Sequence, residues 1–381
     1  MIKNAEMNKR KLSMKKIVVL ENNFTASVTI RSALMNALAN NGFEVYILSY
    51  GKAEFAEQLK NIMATCIDIG TSNTNPIEVL KYLKTVYKEI KNINPDVCLT
   101  FTPRQNIYGN IVCKMLRIPT LSNITGTGVP FHIKGLIYAF GRLLYKMVLK
   151  IPKTVFFQNI DDFEHLISKG YVEKTQAVLI PGSGIETGKF VPIEKVQTNK
   201  FVFLFVGRLV KIKGVEEMVI AARNILKDRQ DIEFWIVGPL WTQNTGSLTI
   251  TQNDLNNWQN EGIIYKGETK DVRPFIAQCD CFVLASYREG LSNSLLEAAS
   301  MERPIVTTNV TGCRDVVVDG LNGILCEAQN AASLENALRK MLALNNDERK
   351  EMGKQGRIKV KREYEKTIVV NKYIEQIIKI E

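Results

Sequence analysis

Glu289 and Glu297 flank a glycine turn, Glu289-Gly290-Leu291-Ser292-Asn293, that runs into an apolar-periodic stretch. The apolar run at 281–285 reads as a buried strand ahead of the turn, and Ser292 and Asn293 are N-cap candidates for the helix after it. At such a junction unpaired backbone N–H groups and the positive end of the helix dipole face one point, which suits an anion. A phosphate held there would have a hydroxyl-accepting carboxylate on either side, as a sugar nucleotide requires. A second stretch, Gly207-Arg208-Leu209-Val210-Lys211-Ile212-Lys213-Gly214, follows the apolar run at 201–206. Its glycine lets backbone approach a ligand, while Arg208 offers a bidentate fork and Lys213 a point charge. Alone, two cations before a helix read as solvated charge. At the same edge of one sheet as the glutamate turn, they converge with it.

The elements that must position these residues follow from alternation. Apolar runs at 17–20, 44–49, 65–69, 97–101, 119–123, 154–158 and 177–180 read as strands. Helical periods at 27–40, 53–60, 76–91, 106–116, 135–150 and 159–169 separate them. Strand–helix repetition of this kind implies parallel strands with crossover helices, an α/β doubly wound sheet. After the turn Pro181-Gly182-Ser183-Gly184 and a polar segment, the alternation restarts at Phe201. Further strands are expected at 232–237, 263–265, 281–285, 305–308 and 323–326, with 239–253 as a surface loop. The domains are therefore 14–184, a linker at 185–200, a second domain at 201–362 and a terminal helix at 363–381.

Composition narrows the classes. A chain of 381 residues with 45% hydrophobic content suits two globular domains. Seven cysteines without C-x-x-C pairs fit a reducing compartment, and two histidines, His132 and His165, leave no multi-histidine metal centre. The net charge of +11 favours anionic partners, although a merely basic surface explains it equally. Aromatic and basic residues are not interleaved as on single-strand platforms, so no nucleic acid is expected. Residues 1–13 are polar and lysine-rich, unlike a secretory signal, and no run reaches the ~18 apolar residues of a membrane span. Within 135–150, Arg142, Lys146 and Lys150 form a cationic stripe. Leu136, Ile137, Phe140, Leu143, Leu144, Met147 and Val148 form the apolar side. Such a helix can lie on an anionic membrane surface or simply cover the sheet; both readings stay open.

Together, Gly207-Arg208 with Lys213-Gly214, Glu289-Gly290-Leu291-Ser292 with Glu297, and Gly320-Leu321-Asn322-Gly323 closely resemble retaining glycosyltransferases of family 4. In the first domain the resemblance rests on 123–128, on Phe156-Phe157-Gln158-Asn159 with Asp161-Asp162, and on Pro181-Gly182-Ser183-Gly184. It implies the GT-B architecture: two Rossmann-like domains facing across a cleft, with a C-terminal helix that can cross back to the first. It also implies roles. Arg208 and Lys213 neutralise the donor diphosphate as the principal catalysts, and Glu289 meets the donor sugar. Backbone N–H groups of Gly290, Leu291 and Ser292 surround the β-phosphate, and Glu297 accepts from the ribose hydroxyls. Gly207, Gly238 and Glu268, within 267–272, border the nucleotide. On the acceptor side stand Thr25, Gly126, Gly128 and His132, the last reading more readily as a structural histidine. Many members carry a glycine-rich turn after the first strand; here it is Glu21-Asn22-Asn23-Phe24-Thr25, with no glycine, which leaves that contact to Thr25 or Ser27.

No Asp-x-Asp metal motif stands in the sequence, and the cation pair can do a metal's charge work, so metal-independent transfer without a cofactor is expected. The wording of 287–297 and 123–128 resembles the subgroup that includes N-acetylgalactosaminyltransferases acting on undecaprenyl-diphosphate-linked saccharides. That implies a UDP-N-acetylhexosamine donor and a lipid-linked saccharide acceptor. It also implies a peripheral place on the cytoplasmic face of the cell membrane, in capsule or O-antigen synthesis. Three other classes compete: a GT-B-like sugar-nucleotide epimerase, a catalytically silent nucleotide- or RNA-binding module, and a glycoside hydrolase. Paired carboxylates suit the hydrolase, but phosphate-binding cations have no use there.

Overall fold

The structure, a computed structural model, describes residues 15–50, 64–70, 75–126, 135–196, 198–241 and 249–380. Within it the strands fall within one residue of the positions expected from the apolar runs. The first sheet contains β1 (Lys16–Leu20), β2 (Glu44–Ser49), β3 (Ala64–Asp68), β4 (Val97–Phe101), β5 (Thr120–Ile124), β6 (Thr154–Phe157) and β7 (Ala177–Leu179). Its order is β3-β2-β1-β4-β5-β6-β7, with every pairing parallel. The second sheet contains β8 (Phe201–Val206), β9 (Ile232–Val237), β10 (Ile263–Tyr265), β11 (Cys281–Leu284), β12 (Ile305–Thr308) and β13 (Gly323–Cys326), again all parallel. Its order, β10-β9-β8-β11-β12-β13, reverses between β8 and β11. A crevice opens at the carboxyl edge of such a switch point because neighbouring crossovers leave on opposite faces.

The strands at both switch points read as nearly unbroken apolar runs because helices cover both faces of a parallel sheet. Phe203 and Phe234 stack at 4.9 Å in the second core. Each such fully buried large side chain contributes roughly 1.5–3 kcal/mol relative to exposure. The chain divides into two compact units: residues up to Ser183 together with Thr367 onward, and Gly184–Lys366. The terminal helix (Lys366–Ile378) belongs with the first sheet, where the Tyr373 ring lies 4.3 Å from Phe156 and 6.0 Å from Phe101. The expected linker at 185–200 clusters with the second unit, and its start is pinned there. Ile185 N–H donates to the Tyr364 carbonyl (2.8 Å) and Lys366 N–H to the Ile185 carbonyl (2.9 Å).

Four sequence expectations need correction or fall outside the described chain. The helix expected at 27–40 is two, α1 (Phe24–Val28) and α2 (Ser32–Asn40), because Arg31 turns inward at the break to reach buried Glu21. The supposed loop at 239–253 ends in α8 (Gln252–Asn260), which begins at a reciprocal capping box between Thr251 and Asp254. The helix 135–150, observed as α5 (Leu136–Val148), carries its faces differently from the expected pattern. Tyr145 and Val148 are buried, while Phe140, Leu143 and Met147 are 65%, 54% and 54% exposed. Asn106 Nδ2 donates to the Tyr145 hydroxyl (3.3 Å), and that bond fixes which face looks inward. Lys146 does not project as part of a stripe; its ammonium donates to the Lys169 carbonyl (2.8 Å) and lies 5.5 Å from the Tyr171 ring. The helix expected at 53–60 lies outside the described residues.

Candidate active site

At the second sheet's switch point the chain leaves β8 through Gly207 and Arg208 and forms a 3-10 turn at Lys211–Lys213. It leaves β11 through Ser286 and Glu289. Tyr287 N–H donates to the Ile212 carbonyl (2.9 Å), which locks the two turns together. As a result Lys213 Nζ pairs with Glu289 Oε1, and the Ser286 hydroxyl donates to the same oxygen (2.7 Å). Gly214, at φ +69, lies where a Cβ would collide with the Ala285 carbonyl, so glycine is what permits this approach. The side chains of Lys213 and Glu289 are 18% and 11% exposed, enough contact with solvent to meet a ligand. Arg208 stands apart from this pair, its guanidinium 5.0 Å over the Trp241 ring, an attraction worth about 0.5–1 kcal/mol.

Gly207, Gly238 and Gly267 adjoin along the carboxyl ends of β8, β9 and β10. Gly207 N–H donates to the Val237 carbonyl (3.0 Å) and Gly238 N–H to the Gly267 carbonyl (2.9 Å). A Cβ at Gly238 would overlap the Gly207 carbonyl, so this stretch of edge is bare backbone. Glu268 follows directly and is exposed; its charge helps burial raise the Tyr265 hydroxyl's pKa, and that hydroxyl donates to the Gly238 carbonyl (2.9 Å).

Ser292 occupies the N-cap of α10 (Asn293–Ser300), but its hydroxyl makes no capping bond and lies 3.3 Å from the Ser294 hydroxyl. Its backbone N–H donates to the Gly312 carbonyl (3.2 Å). Of the three amides expected around a phosphate, that of Ser292 is thus already committed. Glu297, one turn into α10, is not beside Lys213: the charges acting on it are Lys189, Lys366 and Asp271. Burial raises its carboxyl to about 7, against the opposing pull of the two lysines and with a smaller push from Asp271.

Several participants escaped the sequence reading. Gly312 (φ +77) backs the glutamate turn so closely that a Cβ would sit 2.7 Å from that of Glu289. Only the fold brings it there, across 23 residues of sequence. The charges of Lys189 and Lys366 act on Glu297 from near the two points where the chain passes between units. Trp241 had a local signal, an aromatic three residues past the glycine that ends β9.

In the first unit, the glycine-free turn after β1 is filled by a buried ion pair. Arg31 Nη1 lies 2.7 Å from Glu21 Oε2, with the guanidinium 4.2 Å over the Phe101 ring. Burial nonetheless raises the Glu21 carboxyl's pKa, outweighing Arg31. Thr25 belongs to α1, and Gly126 has φ +142 with open space where a Cβ would stand. Gly128 and His132 lie outside the described residues. Among the described residues no group of three His, Cys, Asp or Glu side chains is placed to hold a metal ion, and no helix is long and apolar enough to cross a membrane.

Residues 200–344 match the family model described as glycosyl transferases group 1. The capsular polysaccharide biosynthesis glycosyltransferase CapM of Staphylococcus aureus is 25% identical over 364 residues, covering 90% of this chain and 92% of the relative. The N,N'-diacetylbacillosaminyl-diphospho-undecaprenol alpha-1,3-N-acetylgalactosaminyltransferase of Campylobacter jejuni is 26% identical over 332 residues, 82% of this chain and 85% of its own. Among solved structures, HepE of Anabaena in complex with UDP and glucose superposes with a TM-score of 0.77 at 14% identity, over 95% of this chain and 99% of that one. A glycosyltransferase of Rickettsia africae gives 0.78 at 18% identity, over 96% and 98%. The fold is GT-B, these likenesses support the group 1 glycosyltransferases, and the chain is a glycosyltransferase enzyme.

Proposed function

We propose that this enzyme transfers an N-acetylhexosamine, GalNAc-like, from a UDP-sugar to a lipid-linked saccharide in bacterial capsule or O-antigen synthesis, retaining the anomeric configuration and using no metal. The observation that carries the reading is the meeting of Lys213, Glu289 and Ser286 at a switch-point edge whose neighbouring strand ends are bare glycine backbone. In this reading the C1–O bond to the β-phosphate breaks while the acceptor oxygen bonds to C1 on the same face. The acceptor proton passes to a β-phosphate oxygen. Arg208 and Lys213 stabilise the charge that builds on the departing diphosphate, and Glu289 orients the sugar. Glu297 takes the ribose hydroxyls. The donor and acceptor rest on the printed activity of the Campylobacter jejuni relative and on the UDP complex of HepE.

The test is a panel of UDP-sugars against undecaprenyl-diphosphate saccharides in EDTA, scored by UDP release, product mass and anomeric configuration. UDP-N-acetylgalactosamine should give an α-linked product at full rate in EDTA. A rearranged sugar without a new glycosidic bond would instead assign an epimerase, and a rate restored only by Mg²⁺ would refute metal independence.

Peripheral attachment to the membrane belongs to the same proposal, but with its carrier revised. Phe140, Leu143 and Met147 repeat at i, i+3 and i+7 on α5 and stand exposed as an apolar stripe beside Arg142 and Lys150. Replacing all three with Ser is expected to lower the partition coefficient onto phosphatidylglycerol vesicles, read by co-sedimentation, on the order of a hundredfold, since each buried side chain adds about 1 kcal/mol or more of partitioning. Reversing Arg142 and Lys150 should have the smaller effect. Unchanged binding by the triple variant would remove α5 from the membrane contact.

A further inference from the structure

A cavity of about 620 Å³ lies at the opposite edge of the second sheet. It is lined by Phe201, Asp231, Asp280 and Pro304, which begin or precede β8, β9, β11 and β12. The candidate active site is at the strands' carboxyl ends, so a six-residue strand separates the two by roughly 20 Å. The volume falls within the range of small-molecule sites.

The lining is unbalanced in charge. Six basic side chains, Lys195, Lys200, Arg303, Arg349, Lys350 and Lys354, face four acidic ones. Three of the acids are already answered: Asp280 by Lys195, Asp231 by Arg229 and Glu302 by Arg357 at 3.9 Å. Among the described residues, none of the other five cations lies within ion-pair distance of a carboxylate, although the Lys200 charge acts on Asp231. Lys200 donates to the Gln230 carbonyl (2.5 Å), and Arg303 Nη2 to the carbonyls of Ile193 (2.5 Å) and Ala277 (3.0 Å). Arg349 donates to the carbonyls of Leu344 and Met341, and its guanidinium lies 5.0 Å over the Phe201 ring. Carbonyl oxygens hold these groups in place without cancelling their charge. The Arg303 Nε is buried and has no hydrogen-bond partner, an unmet donor costing about 1–3 kcal/mol. Lys350 and Lys354 stand one turn apart on the helix Asn346–Glu363, both exposed.

We propose that this cavity is a second ligand site, for a multivalent phosphate-bearing anion whose body rests on the Phe201 and Pro304 wall. Guanidinium and ammonium groups together match phosphate, and the carbonyl-anchored arginines are preorganised to receive it. The ligand would bridge the segment 192–200 to the helix Asn346–Glu363, both within the second unit. The same chemistry could come from a free phosphate compound or a lipid headgroup.

The probe is inorganic pyrophosphate, titrated calorimetrically into the full chain carrying R208A and K213A so that the carboxyl-edge site does not contribute. Binding should persist in that chain. Adding K350E and K354E should weaken it on the order of tenfold or more, and K350Q with K354Q by less. Both lysines are exposed, so circular dichroism melts should match the parent. Absence of pyrophosphate binding in the R208A/K213A chain, or binding insensitive to Lys350 and Lys354, would overturn the proposal. With binding established, phosphatidylglycerol vesicles that bind through the same two lysines assign a lipid headgroup; vesicles indifferent to them assign a soluble anion.

Discussion

Lys213→Ala and Arg208→Ala are each expected to reduce turnover about 10²–10³-fold, the loss typical when one preorganised group facing developing transition-state charge is removed. In the proposed reaction negative charge builds on the β-phosphate as the C1–O bond lengthens, and the carboxyl-edge cations are the groups proposed to meet it. The fold should survive both changes. Arg208 is exposed and rests on Trp241, so its removal costs no more than that contact. Lys213 is pinned by Glu289, but Glu289 keeps the Ser286 hydroxyl, so K213A should cost about 1–2 kcal/mol, a few degrees in Tm. The loss should appear in kcat more than in KM, because the leaving diphosphate's charge grows only as the transition state forms. Lys213→Arg keeps the charge and should recover part of the rate. Turnover by K213A within threefold of the parent would withdraw Lys213 from the chemistry.

What the sequence disclosed and what it withheld divide along a physical line. The strands were legible because parallel strands are buried on both faces, so runs such as 201–206 and 281–284 are uninterrupted in composition. The cations at 208 and 213 and the carboxylates at 289 and 297 were legible because each sits in a local strand–turn signal. The environment of each group was not. Nothing local says that Lys213 pairs with Glu289, or that the charges of Lys189 and Lys366 act on Glu297, because those groups arrive from segments brought in by the fold. The split between α1 and α2 was hidden for the same reason: Arg31 looks like a surface residue of an amphipathic helix until its buried partner, Glu21, is known. The helix α8 is a different case. Its Thr251-x-x-Asp254 capping box was present in the sequence but masked by a run of polar residues with little helical periodicity.

Glu297 supplies a prediction with two opposed slopes in pH. Its carboxyl is raised by burial from 4.5 to about 7, so the folded chain holds a proton that the unfolded chain releases. Its contribution to stability is therefore greatest below about pH 4.5 and falls as pH rises through the folded value near 7. Glu21 is raised in the same direction, so the parent's melting curve sums both, and only the difference between parent and Glu297→Gln isolates Glu297. Ligand binding should run the other way. If the ionised carboxylate takes two ribose hydroxyls, uridine affinity should rise about tenfold from pH 6 to pH 8, as the ionised fraction climbs from about one-tenth to about nine-tenths. Uridine is the probe because it lacks phosphate groups that titrate in the same window. E297Q should bind uridine more weakly at pH 8 and with a flat profile. A carboxyl with only a structural part would change the melting curve without changing uridine binding, so a pH-independent affinity in the parent would remove Glu297 from the ribose contact while leaving Arg208 and Lys213 untouched. The two glutamates flanking the turn therefore separate by environment. One is met by the Lys213 ammonium and the Ser286 hydroxyl; the other is raised by burial to about 7, so its titration falls inside the pH range that the uridine measurement scans.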